Sequence, residues 1–428
     1  MPTRKGFLRG VAAAAATGVA PRALGSEGTF DPRNWASVRA QFALDPHATN
    51  FATFLLAAHP RPVREAVARY ARLLDRDAKR YLDRQEDMGV AERRVRTAAA
   101  RYLHAQPDEI ALTDSTTMGL ALLYGGMILG EGDEVLTTTH DFFSTHESLR
   151  LRALRTGATV RKIRLYQNAR TASVDEIVSS VRRGITPRTR ALALTWVHSS
   201  TGVKLPIRAI ADALQPTGVL LCVDGVHGFG SEAATPVELG CDFLVSGCHK
   251  WLFGPRGTGL IWGHSKAWDA VTPTIPTFDF RAFRPWLEGQ PPPAGGIPDL
   301  PRAIAMTPGG FHSFEHRWAL ADAFDFRRRI GRQRVAERTH ALAQRLKSGL
   351  SEVKGVRLVT PQSSALSAGL VMFEVDGREP FDFVDRLYAR ARIVASVTPY
   401  NTRYVRLGPS MLNTPTEVDR AVHAIASV

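Results

Sequence analysis

The sequence predicts an α/β protein, with a mainly parallel, helix-covered sheet in a large domain and a smaller α+β domain after it. Three observations predict this. Short apolar runs alternate with segments of helical apolar spacing from about residue 109 to 224, the rhythm of strand–helix crossovers. A Pro/Gly-rich stretch at 264–312 then breaks the rhythm, and a second set of helices and short strands follows. The 428 residues are 44% hydrophobic and 22% charged, a composition that excludes disordered, fibrous and disulfide-knotted proteins.

In order, residues 1–25 read as a targeting segment. Arg4 and Lys5 precede a small-residue apolar run at 11–20, the layout of a signal peptide, and the run is too short for a stable membrane anchor. The Arg4-Lys5-Gly6-Phe7-Leu8 order resembles a twin-arginine signal with lysine at the second position. That reading places the mature protein in the periplasm; a frayed basic tail is the other reading and leaves it cytoplasmic.

Val63, Val67, Tyr70, Leu73 and Leu74 recur at helical spacing within 60–82, and 90–104 continues similarly, so two amphipathic helices come first. A short strand at 109–113 precedes the hydroxyl-rich Asp114-Ser115-Thr116-Thr117, which caps a helix at 118–126. Strand and helix then couple at 134–139 with 143–156, 158–165 with 173–183, and 190–197 with 206–214, before a strand at 218–224. The stretch 264–312, with Pro291-Pro292-Pro293 and Gly309-Gly310, reads as a long excursion near the site or at an interface. A helical region at 315–352 leads to strands near 356–360 and 367–375, a helix at 380–391, a strand at 404–407 and a last helix from Thr414. The expected domains are therefore 26–314 and 315–428.

Lys and Arg number 55 against 41 Asp and Glu. The excess is scattered and not interleaved with aromatics, so no nucleic-acid partner is expected. Cys222, Cys241 and Cys248 are an odd set without metal-ligand spacing, which indicates neither a disulfide framework nor a metal site.

The chemistry gathers at strand ends. Ser246-Gly247-Cys248-His249-Lys250-Trp251 follows the apolar run Phe243-Leu244-Val245. Lysine is normally a solvated charge, but beside His249, Trp251, Leu252 and Phe253 its pKa falls and it becomes able to form a Schiff base. Asp224 ends another apolar strand, within Cys222-Val223-Asp224-Gly225-Val226-His227. Alone it reads as a cap or turn former. Paired with a strand-end lysine it suits pyridoxal phosphate, whose ring nitrogen needs a carboxylate to stay protonated. Ser115, Thr116 and Thr117 offer hydroxyls and N–H groups to a phosphate at a helix start. Phe142 offers an aromatic face, and Ser199, in Ser199-Ser200-Thr201-Gly202, a hydroxyl.

In order and spacing these residues resemble the class V aminotransferases, fold-type-I pyridoxal-phosphate enzymes that include cysteine desulfurases and isopenicillin N epimerase. The resemblance runs from about residue 60 to the carboxyl end. His249-Lys250-Trp251-Leu252, Gly254-Pro255-Arg256-Gly257-Thr258-Gly259 and Phe142 in place of the desulfurase histidine put it nearest the epimerase-like branch. It implies Lys250 as the Schiff-base lysine, Asp224 at the ring nitrogen, His227 by the ring oxygen and Phe142 stacked on the ring. Thr116, Thr117, Ser246 and His249 would hold the phosphate, with Cys248 the alternative to Ser246. Arg406, in Arg406-Leu407-Gly408 before Leu412-Asn413-Thr414, would clamp a substrate carboxylate. A homodimer is implied too. His312, Glu315 and Arg317 stay open between substrate contacts and a structural ion pair.

No cysteine follows Cys248, which disfavours sulfur transfer through a mobile small-domain cysteine. The expected function is a pyridoxal-phosphate enzyme acting at the α-carbon of an amino-acid-type small molecule, as an aminotransferase or epimerase. A C–S or C–N lyase and a non-catalytic cofactor-binding protein are the alternatives. The run 254–259 lacks the internal lysine of a phosphate loop and the downstream acid of a dinucleotide site.

Overall fold

The computed structural model describes residues 30–83, 85–290, 297 and 299–428. The expected signal at 1–25 and the Pro291-Pro292-Pro293 run lie outside the described residues.

The large sheet has seven strands: β1 (Ile110–Thr113), β2 (Glu134–Thr138), β3 (Thr159–Ile163), β4 (Thr189–Thr195), β5 (Leu220–Asp224), β6 (Phe243–Gly247) and β7 (Gly259–Gly263). Their spatial order is β1-β7-β6-β5-β4-β2-β3. The pairs from β6 through β5, β4 and β2 to β3 are parallel, while β7 runs antiparallel between β6 and β1. Strands buried on both faces read as continuous apolar runs, and alternation assigns the faces. Leu192, Leu194, Leu221, Val223 and Leu244 enter one apolar cluster, whereas Ala191, Ala193, Cys222, Phe243 and Val245 enter another.

Helices cover both faces. On the second face lie α3 (Thr116–Gly126) and α4 (Phe143–Thr156), contributing Leu120, Leu123 and Leu149. Gly119 lets α3 sit close, because a Cβ there would come within 2.5 Å of Val245 Cγ1. The first face is covered by α5 (Val174–Gly184) and α6 (Ile207–Leu214), through Ile177, Val181 and Ile210. The Ser173 hydroxyl starts α5 by accepting from Glu176 N, with Asp175 and Glu176 in its first turn and Arg182 and Arg183 in its last, matching the helix dipole.

The chain before the sheet forms α1 (Arg61–Asp83) and α2 (Gln85–Leu103), as the spacing predicts. The long helical region beyond 314 is two helices, α7 (Phe314–Ile330) and α8 (Arg332–Ser351), separated at Gly331, whose φ is +94°. Leu320, Ala321 and Phe324 of α7 join the core of the large sheet, whereas Leu342, Leu346 and Leu350 of α8 pack against the smaller one. The two helices either side of Gly331 thus serve different cores.

The smaller sheet is antiparallel, in the order β10-β11-β9-β8, from β8 (Val356–Leu358), β9 (Val371–Val375), β10 (Ser396–Val397) and β11 (Val405–Leu407). It packs with α9 (Pro380–Ala391) and α10 (Pro415–Ser427), the latter started by a reciprocal Thr414–Glu417 cap. Among the described residues no helix is long and apolar enough to cross a membrane.

Strand β7 is absent from the sequence expectation. Glycines at both its ends obscure its pattern, and pairing on two sides overrides that weak local preference. The expected excursion at 264–312 also holds two short helices, Phe280–Leu287 and Arg302–Ala305.

Candidate active site

Parallel sheets leave a crevice at the carboxyl ends of their strands, and the candidate residues gather there. Asp224 ends β5 and is 1% exposed, on the face that carries Cys222. Its Oδ1 accepts from Val226 N at 3.0 Å. Burial raises its pKa to about 7, against the opposing pull of that N–H and of the Lys250 charge. Lys250 lies three residues past β6, in a turn closed by Phe253 N donating to the Lys250 carbonyl at 3.0 Å. Desolvation lowers its amine to about 8, with Asp224 raising it and Arg406 lowering it further. The ammonium makes no hydrogen bond and no ion pair of 4 Å or less among the described residues. A half-buried amine and a buried acid perturbed by one another are the mark of a reactive site.

The first turn of α3 faces the same end of the sheet. Ser115 is its cap, the hydroxyl accepting from Met118 N at 3.1 Å. This leaves the Thr116 and Thr117 N–H groups without intrahelical partners. Thr116 Oγ1 accepts from Gly247 N at 2.7 Å, and Thr117 is exposed. The His249 ring closes on the same spot: a Cβ on Gly247 would lie 2.9 Å from His249 Cε1 and 3.1 Å from Thr116 Oγ1. Burial lowers the His249 pKa.

Ser246 does not join them. It precedes Gly247 in β6, and alternation turns it to the face of Leu244, whose partner cluster also holds Leu260 opposite Ser246. Its hydroxyl donates to the Gly247 carbonyl at 3.0 Å. Cys248 is sealed in the first-face core.

His227 is 3% exposed, and its Nδ1 accepts from Trp251 Nε1 at 3.2 Å. Burial, with the charges of Lys250 and Arg406, holds its pKa well below the usual value. Arg406 comes from β11 and is 3% exposed. Its Nε donates to Ser396 Oγ at 3.0 Å, its Nη1 to the Ser199 carbonyl at 3.4 Å, and its guanidinium lies 4.7 Å over the Phe54 ring. No carboxylate lies within 4 Å of it among the described residues. Desolvation brings its pKa down to about 10, so it stays a cation near neutrality. A buried guanidinium without an acid is costly, and an incoming carboxylate offsets that cost.

Phe142 precedes α4 with its ring 5.8 Å from that of Tyr400. Asp141 sets its position: Oδ2 accepts from Thr138 N at 2.8 Å and Oδ1 from Thr195 N at 2.7 Å, tying β2 to β4. Ser199 Oγ and Tyr400 OH are 2.7 Å apart. Phe142 and Tyr400 border a cleft that continues past His146, Glu147 and Arg150. Arg317 resolves to a structural ion pair, with Nη2 donating to Asp114 at 3.0 Å and Nη1 lying 3.5 Å from Glu92.

Asp141, Tyr400 and Phe54 are the participants that sequence reading missed; it placed Trp251 beside Lys250 but not its hydrogen bond to His227. Asp141 adjoins Phe142 and had a signal of its own, an acid just past a strand end. Phe54 and Tyr400 lie far along the chain from what they touch and carry no motif. The donor set suits pyridoxal phosphate: an amine without a protein partner, a buried acid at a strand end and open N–H groups at a helix start.

Fold and site together define an α/β enzyme organised around a strand-end lysine. The chain belongs to the class-V aminotransferase family, whose model matches residues 57–397. It is 28% identical over 395 residues to isopenicillin N epimerase of Amycolatopsis lactamdurans, covering 91% of this chain and 98% of that protein. To a probable cysteine desulfurase of Halalkalibacterium halodurans it is 29% identical over 297 residues, 67% of this chain and 68% of that one. Its fold is that of a cystine C–S lyase solved with its product cysteine persulfide, at a TM-score of 0.79 and 21% identity, covering 89% of this chain and 98% of the other.

Proposed function

We propose that this enzyme acts on the α-carbon of an amino acid or amino-acid-containing metabolite, as an aminotransferase or epimerase, with Lys250 as its central amine. The cofactor is pyridoxal 5′-phosphate; bound here, it supplies an electrophilic aldehyde and a ring that accepts electrons from the α-carbon. Thr116, Thr117 and His249 would hold its phosphate, Asp224 its ring nitrogen, and Phe142 one face of the ring.

The observation that carries the proposal is Arg406, buried without an acid among the described residues, whose charge acts on a Lys250 amine that has no hydrogen-bond partner among them. Arg406 binds and orients the substrate carboxylate, a job suited to a guanidinium fork. Lys250, at about 8, is partly neutral near physiological pH and takes the α-proton. The hydroxyls of Ser199 and Tyr400 hold the loop of the small sheet against the large one. Epimerisation, transamination and loss of a β- or γ-substituent all begin with this proton abstraction.

Sulfur transfer through a mobile cysteine is the less supported branch. Cys222, Cys241 and Cys248 are all buried, and burial pushes each thiol up, away from the reactive thiolate. A C–S lyase that uses no cysteine nucleophile remains compatible with the site. Family membership supports a homodimer, and the amino-terminal pattern supports export.

The enzyme loaded with pyridoxal phosphate, incubated with amino acids and short peptides in deuterated water, should place deuterium at the α-carbon of at least one. Racemised substrate, keto acid or a released fragment then names the reaction. Absence of exchange across the panel contradicts the proposal.

A further inference from the structure

Trp251 directly follows the candidate reactive lysine, and its indole is 3% exposed. Phe54 stacks on it at 6.0 Å and 22°. Gly369 leaves it room, since a Cβ there would approach Cη2 to 2.8 Å. The indole is therefore fixed, and its Nε1–H donates to His227 Nδ1 at 3.2 Å.

An indole nitrogen only donates, so the atom it meets must offer a lone pair. His227 is buried and held neutral. A neutral imidazole carries one N–H, which must then sit on Nε2. That atom has no hydrogen-bond partner among the described residues. The Nε2–H is thus left free to donate to a bound group.

We propose that Trp251 is a positioning residue that locks His227 in the Nε2–H tautomer, so that the histidine presents a fixed donor to the ring oxygen of the bound cofactor. The acceptor's identity rests on the function proposed above together with the family resemblance that sets His227 by the ring oxygen, whereas the tautomer is a property of the chain without ligand. The opposite tautomer would aim a lone pair at that oxygen and repel it.

The test uses the full chain labelled with ¹⁵N in its histidine rings, free of cofactor, with His227 identified by the signals lost in His227→Gln. The wild-type protein should show His227 protonated at Nε2 alone at pH 7.5, and Trp251→Phe, which keeps an aromatic ring there, should show both tautomers. In Trp251→Phe, pyridoxal phosphate should bind roughly three- to tenfold more weakly, the loss of one hydrogen bond. In a His227→Gln background the same change should cost almost nothing, because an amide donates without tautomers. A wild-type His227 protonated at Nδ1, or an equal cost of Trp251→Phe in both backgrounds, overturns the proposal. The wild-type spectrum decides the point even if Trp251→Phe fails to fold. A chain with the expected tautomer that binds no pyridoxal phosphate keeps the lock and refutes the cofactor reading instead.

Discussion

Lys250 and Lys347 are two amines, one half-buried and one buried, that desolvation lowers to the same value, about 8, yet they stand in opposite situations. Lys347, on α8, donates to the Pro361 carbonyl at 2.9 Å, the Gln362 carbonyl at 2.9 Å and Ser367 Oγ at 2.7 Å. All three of its protons are occupied, and it pins the loop between β8 and β9. Lys250 has no such partners among the described residues and faces Asp224 across the strand ends. The two arginines repeat the contrast. Arg317 is buried against Asp114 and Glu92, whereas Arg406 is buried over an aromatic ring with no acid. Lys347 and Arg317 are tied to fixed protein partners; Lys250 without a hydrogen bond and Arg406 without an acid among the described residues are the two available for chemistry.

Exchanging the lysines breaks this comparison most severely. Lys250→Ala should lower turnover by 10³-fold or more, the order lost when a covalent catalytic group is removed, and abolish the visible absorbance of the bound cofactor. Lys347→Met should leave turnover within about twofold and reduce stability by roughly 1–3 kcal/mol, because its acceptors lose their donor. Denaturation curves and steady-state kinetics on the same preparations read both. If Lys347→Met abolishes turnover while Lys250→Ala keeps it, the assignment of roles is reversed.

The arginine contrast predicts a smaller effect. Arg406→Gln should raise KM for a carboxylate substrate about 10²-fold, a loss of charge-assisted hydrogen bonds worth about 3 kcal/mol, and should scarcely change the binding of an amine lacking that carboxylate. Arg317→Gln should instead lower the melting temperature with little change in KM. A KM effect of equal size for both amines removes Arg406 from carboxylate recognition.

What the sequence made legible follows the range of the interactions involved. The parallel strands β2, β4 and β5 are written in their own apolar runs, and Lys250, Asp224 and Thr116 sit at their predicted strand or helix ends. Local chemistry decides such positions. Strand β7 is set by pairing with β1 and β6, its glycine-flanked ends giving no local sign. Ser246 is turned to the face of Leu244 by its register in β6, a consequence visible only once the strand is known to run through Gly247. Ser199, Tyr400 and Arg406 meet across some two hundred residues of chain, and the Phe54 ring under Arg406 comes from still farther away. Such contacts are products of the tertiary fold, so a linear reading finds the arginine but not what braces it.

Borohydride trapping of the cofactor-loaded protein, followed by peptide mapping, tests the central claim most directly, with Lys347 as the internal control. The neutral amine is the nucleophile, so a pKa depressed to about 8 predicts capture that rises between pH 6.5 and 8.5 and then levels. The account predicts a pyridoxyl adduct on Lys250 and none on Lys347. An adduct on Lys347, or no adduct on Lys250 at any pH, would contradict it.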